Sequence, residues 1–466
     1  MLSSEEAIYD LLTAKAKSLN CAITDLQLAK QLDKEDKLSH IRDQFAIPKV
    51  NTLPVVDRTL VNPDDDCVYF CGHSLGLMPK AAKWHVDRHM KAWQEMGILC
   101  QHYGDLRGDK CELFVIPYLA RLLGANDIEV SIMNGLSVSI HFLMISFYRP
   151  TSKKHKILME HKAFPSDHYV AVSQIKLHGY NPDESLVYME PRSGEQCIRH
   201  EDIIAKIQED GDSIALIWLG GVQYYTGQLF DMQSITEEGH KKGCIVGFDL
   251  AHAAGNVPLQ LHDWDVDFAA LCSYKYLNCG GGTTGAIFVH EKHAYSDRPK
   301  LEGWWGHQFD TRFQMNNEHN LVPGACGFAC SNTSVLHTEL WLASMKVFDS
   351  IDFAELRAKS IQLTGYLATL IRHYFTQDLS SPERIYCDIV TPLDPAQRGA
   401  MLSLEFSIDV NQMFSELEKR GIICDKRQPS VIRVCPAPLY CTYSDVFKFI
   451  ETLKLAIASC EHVETS

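Results

Sequence analysis

The sequence predicts an α/β fold: a large domain with a mainly parallel sheet covered by helices, followed by a smaller α+β C-terminal domain. Three observations carry this. Short unbroken apolar runs recur between about Glu129 and His290, the pattern of strands buried on both faces. Helical or polar stretches such as His200 to Glu209 and Met232 to Lys242 separate several of them, the alternation expected of strands joined by crossover helices. Past residues 333–345 the pattern changes to long amphipathic helices around strand-like pieces. With 466 residues and 46% hydrophobic content, the chain can bury two cores.

The elements follow in order. Residues 1–65 are polar and charged and read as an N-terminal helical arm packing with the small domain, ending in a segment anchored by Ile47-Pro48 and Leu53-Pro54. The large domain is expected over 66–335. In it Val86, Met90 and Trp93 mark one face of a helix, and Leu113 to Leu123 form part of another. Its strands are read from Glu129 to Met133, Lys156-Ile-Leu-Met, Ser213 to Leu219, Cys244 to Phe248, Phe268 to Leu271 and Ala286-Ile-Phe-Val. The small domain, 336–466, has one helix lined by Leu363, Leu367, Leu370 and Tyr374. Another, lined by Val446, Ile450, Leu453 and Ile457, starts beside the capping residues Ser444-Asp445. Between them lie strand-like Leu402 to Ile408 and Val431-Ile-Arg-Val.

Composition excludes several classes. Lys plus Arg number 44 against 59 Asp plus Glu, a net charge of −15, which argues against binding a nucleic-acid backbone. The opening Met1-Leu-Ser-Ser-Glu-Glu lacks a basic and then apolar leader, so a cytoplasmic protein is expected. The most apolar stretch, Ile128 to Phe147, is broken by Asn134, Gly135 and His141 and reads as a buried strand and helix rather than a membrane span. Sixteen cysteines in so long a chain are no disulfide framework. The close pairs Cys67/Cys71 and Cys326/Cys330 lack partners at zinc spacing, so no metal is expected and the thiols are read as reduced.

Chemistry concentrates where two apolar runs end. Cys244 to Phe248 closes on Asp249, with His252 three residues on; Phe268 to Leu271 is followed by Ser273-Tyr274-Lys275, whose lysine lies 26 residues past Asp249. A carboxylate and a lysine at the ends of buried strands are what a pyridoxal 5′-phosphate enzyme needs. The amine condenses with the cofactor aldehyde, and the acid keeps the ring nitrogen protonated so that the ring withdraws electrons. The competing reading is a buried Asp and a snorkelling Lys closing two core strands.

Three further pieces could join them. Asn134-Gly135-Leu136-Ser137 opens a helix whose free N–H groups could receive a phosphate, or is an ordinary helix start. Phe164-Pro-Ser-Asp167 opens another, where Phe164 could stack on the ring and Asp167 bond its edge; a core Phe and a capping Asp are the alternative. Arg433, inside an apolar strand, suits a substrate carboxylate or an internal Asp or Glu. Gly280-Gly-Gly-Thr-Thr-Gly285 matches the dinucleotide-binding pattern, but a strand-like run follows instead of a helix. These glycines are read as letting the backbone turn closely past Lys275.

Together these segments resemble the kynureninases, fold-type I enzymes of the aspartate aminotransferase superfamily. The similarity runs from about Glu35-Asp-Lys-Leu to Asp445-Val-Phe-Lys-Phe. It is strongest at Ser74-Leu-Gly-Leu, Lys162 to Tyr169, Tyr225-Thr-Gly-Gln, Gly247 to Ala253, Cys272 to Asn278, Gly303-Trp and Cys424-Asp-Lys-Arg. The resemblance implies that Lys275 forms the Schiff base with pyridoxal 5′-phosphate and Asp249 pairs with the ring nitrogen. It puts His252 and Tyr274 near phosphate and ring, Leu136 and Ser137 at the phosphate turn, Phe164 on the ring, and Asp167 beside it. Trp304 and Asn332 would contact cofactor or substrate from a second subunit, implying a homodimer. Ser74, His102, Asn332 and Arg433 would contact substrate, Arg433 at its α-carboxylate. The implied reaction, a step of tryptophan catabolism toward pyridine nucleotides, is hydrolysis of L-kynurenine or 3-hydroxy-L-kynurenine to an anthranilate and L-alanine. Lys275 would move the α-proton, and Tyr274 is a candidate proton donor.

Four positions depart from the family's pattern. His73 replaces an Asn, His102 follows Gln101 one place late, Arg107-Gly108 replaces Pro-Trp, and Gly220 stands where animal members usually carry a serine near the cofactor. Losing that hydroxyl would cost about 0.5–1.5 kcal/mol of cofactor binding. Two other readings stay open: a related lyase acting on another β-substituted amino acid, and a non-catalytic relative serving as a binding or scaffold protein.

Overall fold

The computed structural model describes residues 4–377 and 384–464; Met1–Ser3 of the opening segment lie outside them. Two compact units result. One is built from Ala81–Tyr224 and Phe230–Asp349. The other takes the described residues up to Lys80, the short piece Tyr225–Leu229, and those from Ser350 onward.

The first unit is organised by a seven-stranded sheet: β1 (Val130–Ile132), β2 (Lys156–Glu160), β3 (Leu186–Met189), β4 (Ile214–Gly220), β5 (Ile245–Asp249), β6 (Phe268–Leu271) and β7 (Ala286–Val289). Their spatial order is β1-β7-β6-β5-β4-β2-β3, and only β7 runs antiparallel to its neighbours. The central strands are buried almost throughout, as their unbroken apolar runs require. Strand β3, unread in the sequence, lies at the sheet's edge and is half-exposed, so its apolar signal is weak.

Aromatic packing locks the sheet to its covering helices. Phe268 stacks on Phe147 of the helix Leu136–Phe147 (centroids 4.7 Å apart) and on Trp218 of β4 (5.4 Å). Gly247 makes the room: a Cβ there would lie 2.7 Å from the Phe268 ring. Helix Val335–Asp349 is held to this unit because the buried Glu339 accepts hydrogen bonds from His85 (2.7 Å) and Arg88 (2.7 Å) of helix Ala81–Met96. The unit therefore runs to Asp349, whereas the sequence reading cut at 335. The Met90 and Trp93 face of helix Ala81–Met96 points to solvent, and the helix buries Ala82 and His85 instead.

The second unit contains β8 (Cys387–Ile389), β9 (Leu402–Phe406), β10 (Asp425–Arg427) and β11 (Val431–Val434), an antiparallel sheet in the order β10-β11-β9-β8. Val68–Tyr69 pairs with Ile422–Ile423, so the chain stays in this unit past residue 65. Leu363, Leu367 and Leu370 of helix Phe353–Phe375 are buried, as are Val446, Ile450 and Leu453 of helix Tyr443–Glu464. That last helix starts one residue before Ser444: Thr442 and Asp445 bond each other's backbone N–H in a capping box. The N-terminal helix Glu5–Ser18 packs on Phe353–Phe375, where Gly365 admits Ile8.

At the amino edge of the large sheet the Asp267 carboxylate accepts from Val246 N–H (2.8 Å), His240 (2.9 Å) and His293 (2.8 Å) and pairs with Lys292 (3.1 Å). Burial works to raise its pKa, but the hydrogen bonds from His240 and His293 and the Lys292 charge outweigh it and hold the carboxyl well below its ordinary range. Asp267→Asn is expected to cost about 1.5–3 kcal/mol at neutral pH, the usual worth of charged hydrogen bonds, read as a lower urea midpoint. A depressed pKa stabilises the fold above the unfolded value of 3.8 and loses that contribution as pH falls through the folded one. The gap between the two proteins should therefore persist down to about pH 4 and close only in stronger acid.

Candidate active site

The carboxyl edge of the sheet is where strand ends deliver side chains to one place. Asp249 ends β5, Gly220 ends β4 in register with it, and Glu160 ends β2. Lys275 follows β6 by four residues. The intervening Ser273 hydroxyl donates to the Thr284 carbonyl (2.8 Å), and Gly285 packs so close that a Cβ would lie 2.2 Å from the Leu271 oxygen. The glycine-rich stretch is thus the backbone's return past the lysine segment, as the sequence suggested.

These groups surround a pocket with about 480 Å³ of empty space, lined by Leu136, Phe164, Asp167, Gly220, Asp249, His252, Tyr274 and Lys275 among others. Lys275 Nζ lies 5.7 Å from the centre of the Phe164 ring and 5.9 Å from that of Tyr274. Phe164 meets Tyr224 edge-on at 5.2 Å. Ser137, in the first turn of the helix capped by Gly135, hydrogen-bonds Ser166 at the first turn of the helix Pro165–Leu177.

Electrostatics distinguishes this pocket from an ordinary core. Three buried carboxyl groups, Glu160, Asp167 and Asp249, face a single ammonium, Lys275. Burial raises the pKa of Asp249, opposed by the Lys275 charge and the Ala251 N–H, which donates to Oδ1 at 2.8 Å. Burial and then the Asp249 charge raise Asp167 well above the carboxylate range. Trp218 Nε1 donates to Asp167 Oδ1 (2.9 Å); Oδ2 has no N–H or hydroxyl donor, only the neighbouring Asp249. The two acids therefore share a proton: Asp167 keeps it, and Asp249, nearer the lysine, carries the charge. Burial pushes Glu160 up to about 7, with Gly220 N–H opposing and Asp249 adding to the rise. Burial likewise raises the Tyr274 phenol, which stays protonated at neutral pH.

The residues fit pyridoxal 5′-phosphate. The pocket buries more acid than it neutralises, so a protonated ring nitrogen would supply the cation and the N–H donor that Asp249 lacks. The aromatic face of Phe164, the amine of Lys275 and the exposed start of helix Leu136–Phe147 suit the ring, the aldehyde and the phosphate.

Other anticipated residues are not among those lining this pocket. Trp304 and Asn332 belong to the same unit but are exposed and do not line the pocket; Trp304 donates to the Arg312 carbonyl and meets Phe313 edge-on. His102 is at the surface beside Asp109 (3.3 Å), which also binds Arg107. In the second unit, Arg433 donates from Nε and Nη2 to Asp425 (3.2 and 2.7 Å) and from Nη2 to Ser74, whose hydroxyl donates to Asp425 (2.7 Å). The internal-acid alternative for Arg433 is thus realised.

Glu160, Trp218 and Tyr224 were missed. Glu160 carried the signal that exposed Asp249, an acid ending an apolar run, but no cue set it apart from a charge leaving the strand. One cluster looks metal-like, with ligand atoms of Glu129, His262 and His290 within 4.8 Å of one another. The two imidazoles, however, stack at 13° (centroids 4.9 Å apart), so their in-plane lone pairs cannot aim at one ion. The glutamate Oε1 already accepts from Glu291 N–H and His262. It is a hydrogen-bonded ion pair.

Comparisons with known proteins agree on one family. Residues 356–453 match the family model described as the kynureninase C-terminal domain, and 118–384 match aminotransferase class-V. The chain is 48% identical over 459 residues to the kynureninase of Mus musculus (98% of each chain). It is 46% identical over 462 residues to that of Homo sapiens (98% of this chain, 99% of the relative). The kynureninase of Flavobacterium johnsoniae is 44% identical over 92% of this chain and 98% of its own. Among solved structures, the cysteine desulfurase CsdA of Escherichia coli superposes with a TM-score of 0.68 at 16% identity, over 91% of this chain and 99% of that one. The fold is accordingly that of the fold-type I pyridoxal-phosphate enzymes.

An acid whose folded pKa is raised destabilises the fold progressively as pH rises from its ordinary value of 4.5 to about 7. Glu160→Gln removes that loss. In the cofactor-free protein the variant should match wild type near pH 4.5, gain on it up to about pH 7, and hold a constant lead of a few kcal/mol above, at about 1.4 kcal/mol per unit. Urea denaturation across that range checks this.

Proposed function

The chain belongs to the kynureninase family, and from that premise we propose the part each residue takes in its reaction. The protein uses pyridoxal 5′-phosphate to hydrolyse the side-chain carbon–carbon bond of L-kynurenine and/or 3-hydroxy-L-kynurenine. The products are anthranilate or 3-hydroxyanthranilate and L-alanine. The observation that carries the residue assignment is that Asp249, at a strand end, and Lys275, on the loop after the adjacent strand, line one pocket. When bound, the cofactor supplies an electron sink for the pair left on the substrate as bonds to its carbons break.

The chain's own groups do the rest. Lys275 holds the cofactor and, once displaced by the substrate amine, is the base placed to carry the α-proton. Asp249 keeps the ring nitrogen protonated, and Asp167, itself held protonated, buttresses that carboxylate. Phe164 covers one ring face, His252 lines the pocket beside the ring, and Leu136 and Ser137 receive the phosphate at a helix start. Tyr274, a phenol that burial keeps neutral, is the proton donor for the later steps. Gly220 contributes its backbone alone. Arg433 and Ser74 hold the substrate's α-carboxylate, with Asp425 fixing the plane of the guanidinium, and His102 contacts the aromatic end.

We further propose a homodimer in which Trp304 and Asn332 serve the partner's site. Their exposure away from their own pocket supports this. So do the exposed large apolar side chains of the same unit, among them Trp84 (58% exposed), Trp93 (59%), Ile98 (75%), Tyr103 (63%) and Phe313 (54%). Sixteen unbridged cysteines support a cytoplasmic location. Among the described residues no helix is long and apolar enough to cross a membrane.

Purified protein with pyridoxal phosphate should release anthranilate and alanine from kynurenine, and Lys275→Ala should not; equal release by both would refute the assignment. Arg433→Lys should raise KM roughly tenfold or more with a smaller change in kcat, since the lost bidentate contact is worth about 1.5–3 kcal/mol. Mixing Lys275→Ala with Trp304→Ala protein should restore activity absent from either alone if sites are shared across a dimer. No recovery would refute that sharing.

A further inference from the structure

Glu160 has no role in the reaction as described, yet it sits in the pocket. Its strand β2 lies beside β4, and both of its carboxyl oxygens take the Gly220 N–H at 3.3 Å, a weak and divided hydrogen bond. Gly220 pairs in register with Asp249, so the Glu160 carboxyl occupies the edge position next to the acid that grips the cofactor. A side chain at residue 220 would compete for that space, because a Cβ there would come within 3.2 Å of Glu160 Oε1. The glutamate is 4% exposed, and among the described residues no lysine, arginine or histidine neutralises it.

The groups that face it are few. Strand β4 offers only the Gly220 N–H; Asp249 adds negative charge from β5; Asp167 comes from helix Pro165–Leu177; Lys275, Tyr274 and His252 line the same pocket. A carboxyl so placed is far less costly as a neutral acid than as an anion. In that form it has an O–H to give, and its backbone partners, the Gly220 N–H and its own, are donors that cannot receive it.

We propose that Glu160 is a cofactor-positioning residue. It holds a proton in the pocket and donates it as a hydrogen bond to the bound pyridoxal phosphate, so that the cofactor binds more tightly while Glu160 is neutral than when it is ionised. This rests on the reading that the Lys275 pocket receives the cofactor. The glycine at 220 is then the partner substitution that lets the glutamate reach in, and its elevated pKa keeps the proton available near neutrality.

The test compares pyridoxal-phosphate dissociation constants of wild type and Glu160→Gln at about pH 6 and about pH 8.5, either side of that ionisation. The two proteins differ only at residue 160, so the difference between the two pH slopes isolates Glu160. Wild type should lose roughly tenfold more affinity than Glu160→Gln over this range, the equivalent of about one pKa unit of coupling. Its bound-cofactor absorption band should show a pH-dependent shift beyond that of the variant. Gly220→Ala, whose Cβ would crowd Glu160 Oε1 at 3.2 Å, should weaken binding at the lower pH. Identical slopes and identical band behaviour in wild type and Glu160→Gln overturn the proposal. Borohydride reduction and peptide mapping serve as the independent control: label on Lys275 upholds the reading of the pocket, and label elsewhere overturns that reading and this proposal together.

Discussion

Everything at the active edge depends on one electrostatic constraint, the burial of Asp249 with too little positive charge around it. A carboxylate taken out of water needs a cation or several N–H donors. Asp249 has one N–H, from Ala251, and one ammonium, and it shares its surroundings with two more carboxyl groups. The chain relieves this by keeping a proton on Asp167 and, below about pH 7, on Glu160 as well. A ligand that brings its own protonated ring nitrogen would complete the arrangement, which suits a pyridine better than a bare aldehyde.

That constraint could not be met on mobile backbone. Asp249 and Gly220 end neighbouring strands of a sheet whose centre is pinned by the Phe147–Phe268–Trp218 stack, and Gly247 is what lets Phe268 lie across it. Lys275 sits on a loop, but that loop is tied by Ser273 to the Thr284 carbonyl and crowded by Gly285. The single antiparallel strand, β7, leads directly out of this loop, so the lysine segment is anchored in the sheet at both ends.

Much of this was legible because buried strands print their chemistry at their ends. Asp249 and Lys275 each closed an apolar run, and the structure gathers them with Phe164, Asp167, His252 and Leu136 at one pocket. Glu160 escaped notice since an acid after Lys156-Ile-Leu-Met is equally the mark of a strand reaching water; only its neighbours, unknown to a linear reading, bury it. Strand β3 was lost for the opposite reason, as an edge strand shares its residues between core and solvent. The outward face of helix Ala81–Met96 carries apolar periodicity that a local reading assigns to the chain's own core. A pattern can say that a face is apolar but not whose surface covers it.

The clamp seen at Arg433 and the carboxylate-receptor role proposed for it are compatible. A guanidinium 1% exposed cannot wait for a ligand with its charge unanswered, so a resident acid is required whether or not substrate binds there. Asp425 meets that need along the Nε–Nη2 edge, and Ser74 closes the triangle by bonding both partners. The same contacts fix the plane of the fork, and a fixed plane is what bidentate recognition of a second carboxylate demands. Removing Asp425 would therefore damage orientation as well as charge balance, and the loss should fall on substrate affinity before it falls on the chemistry at Lys275.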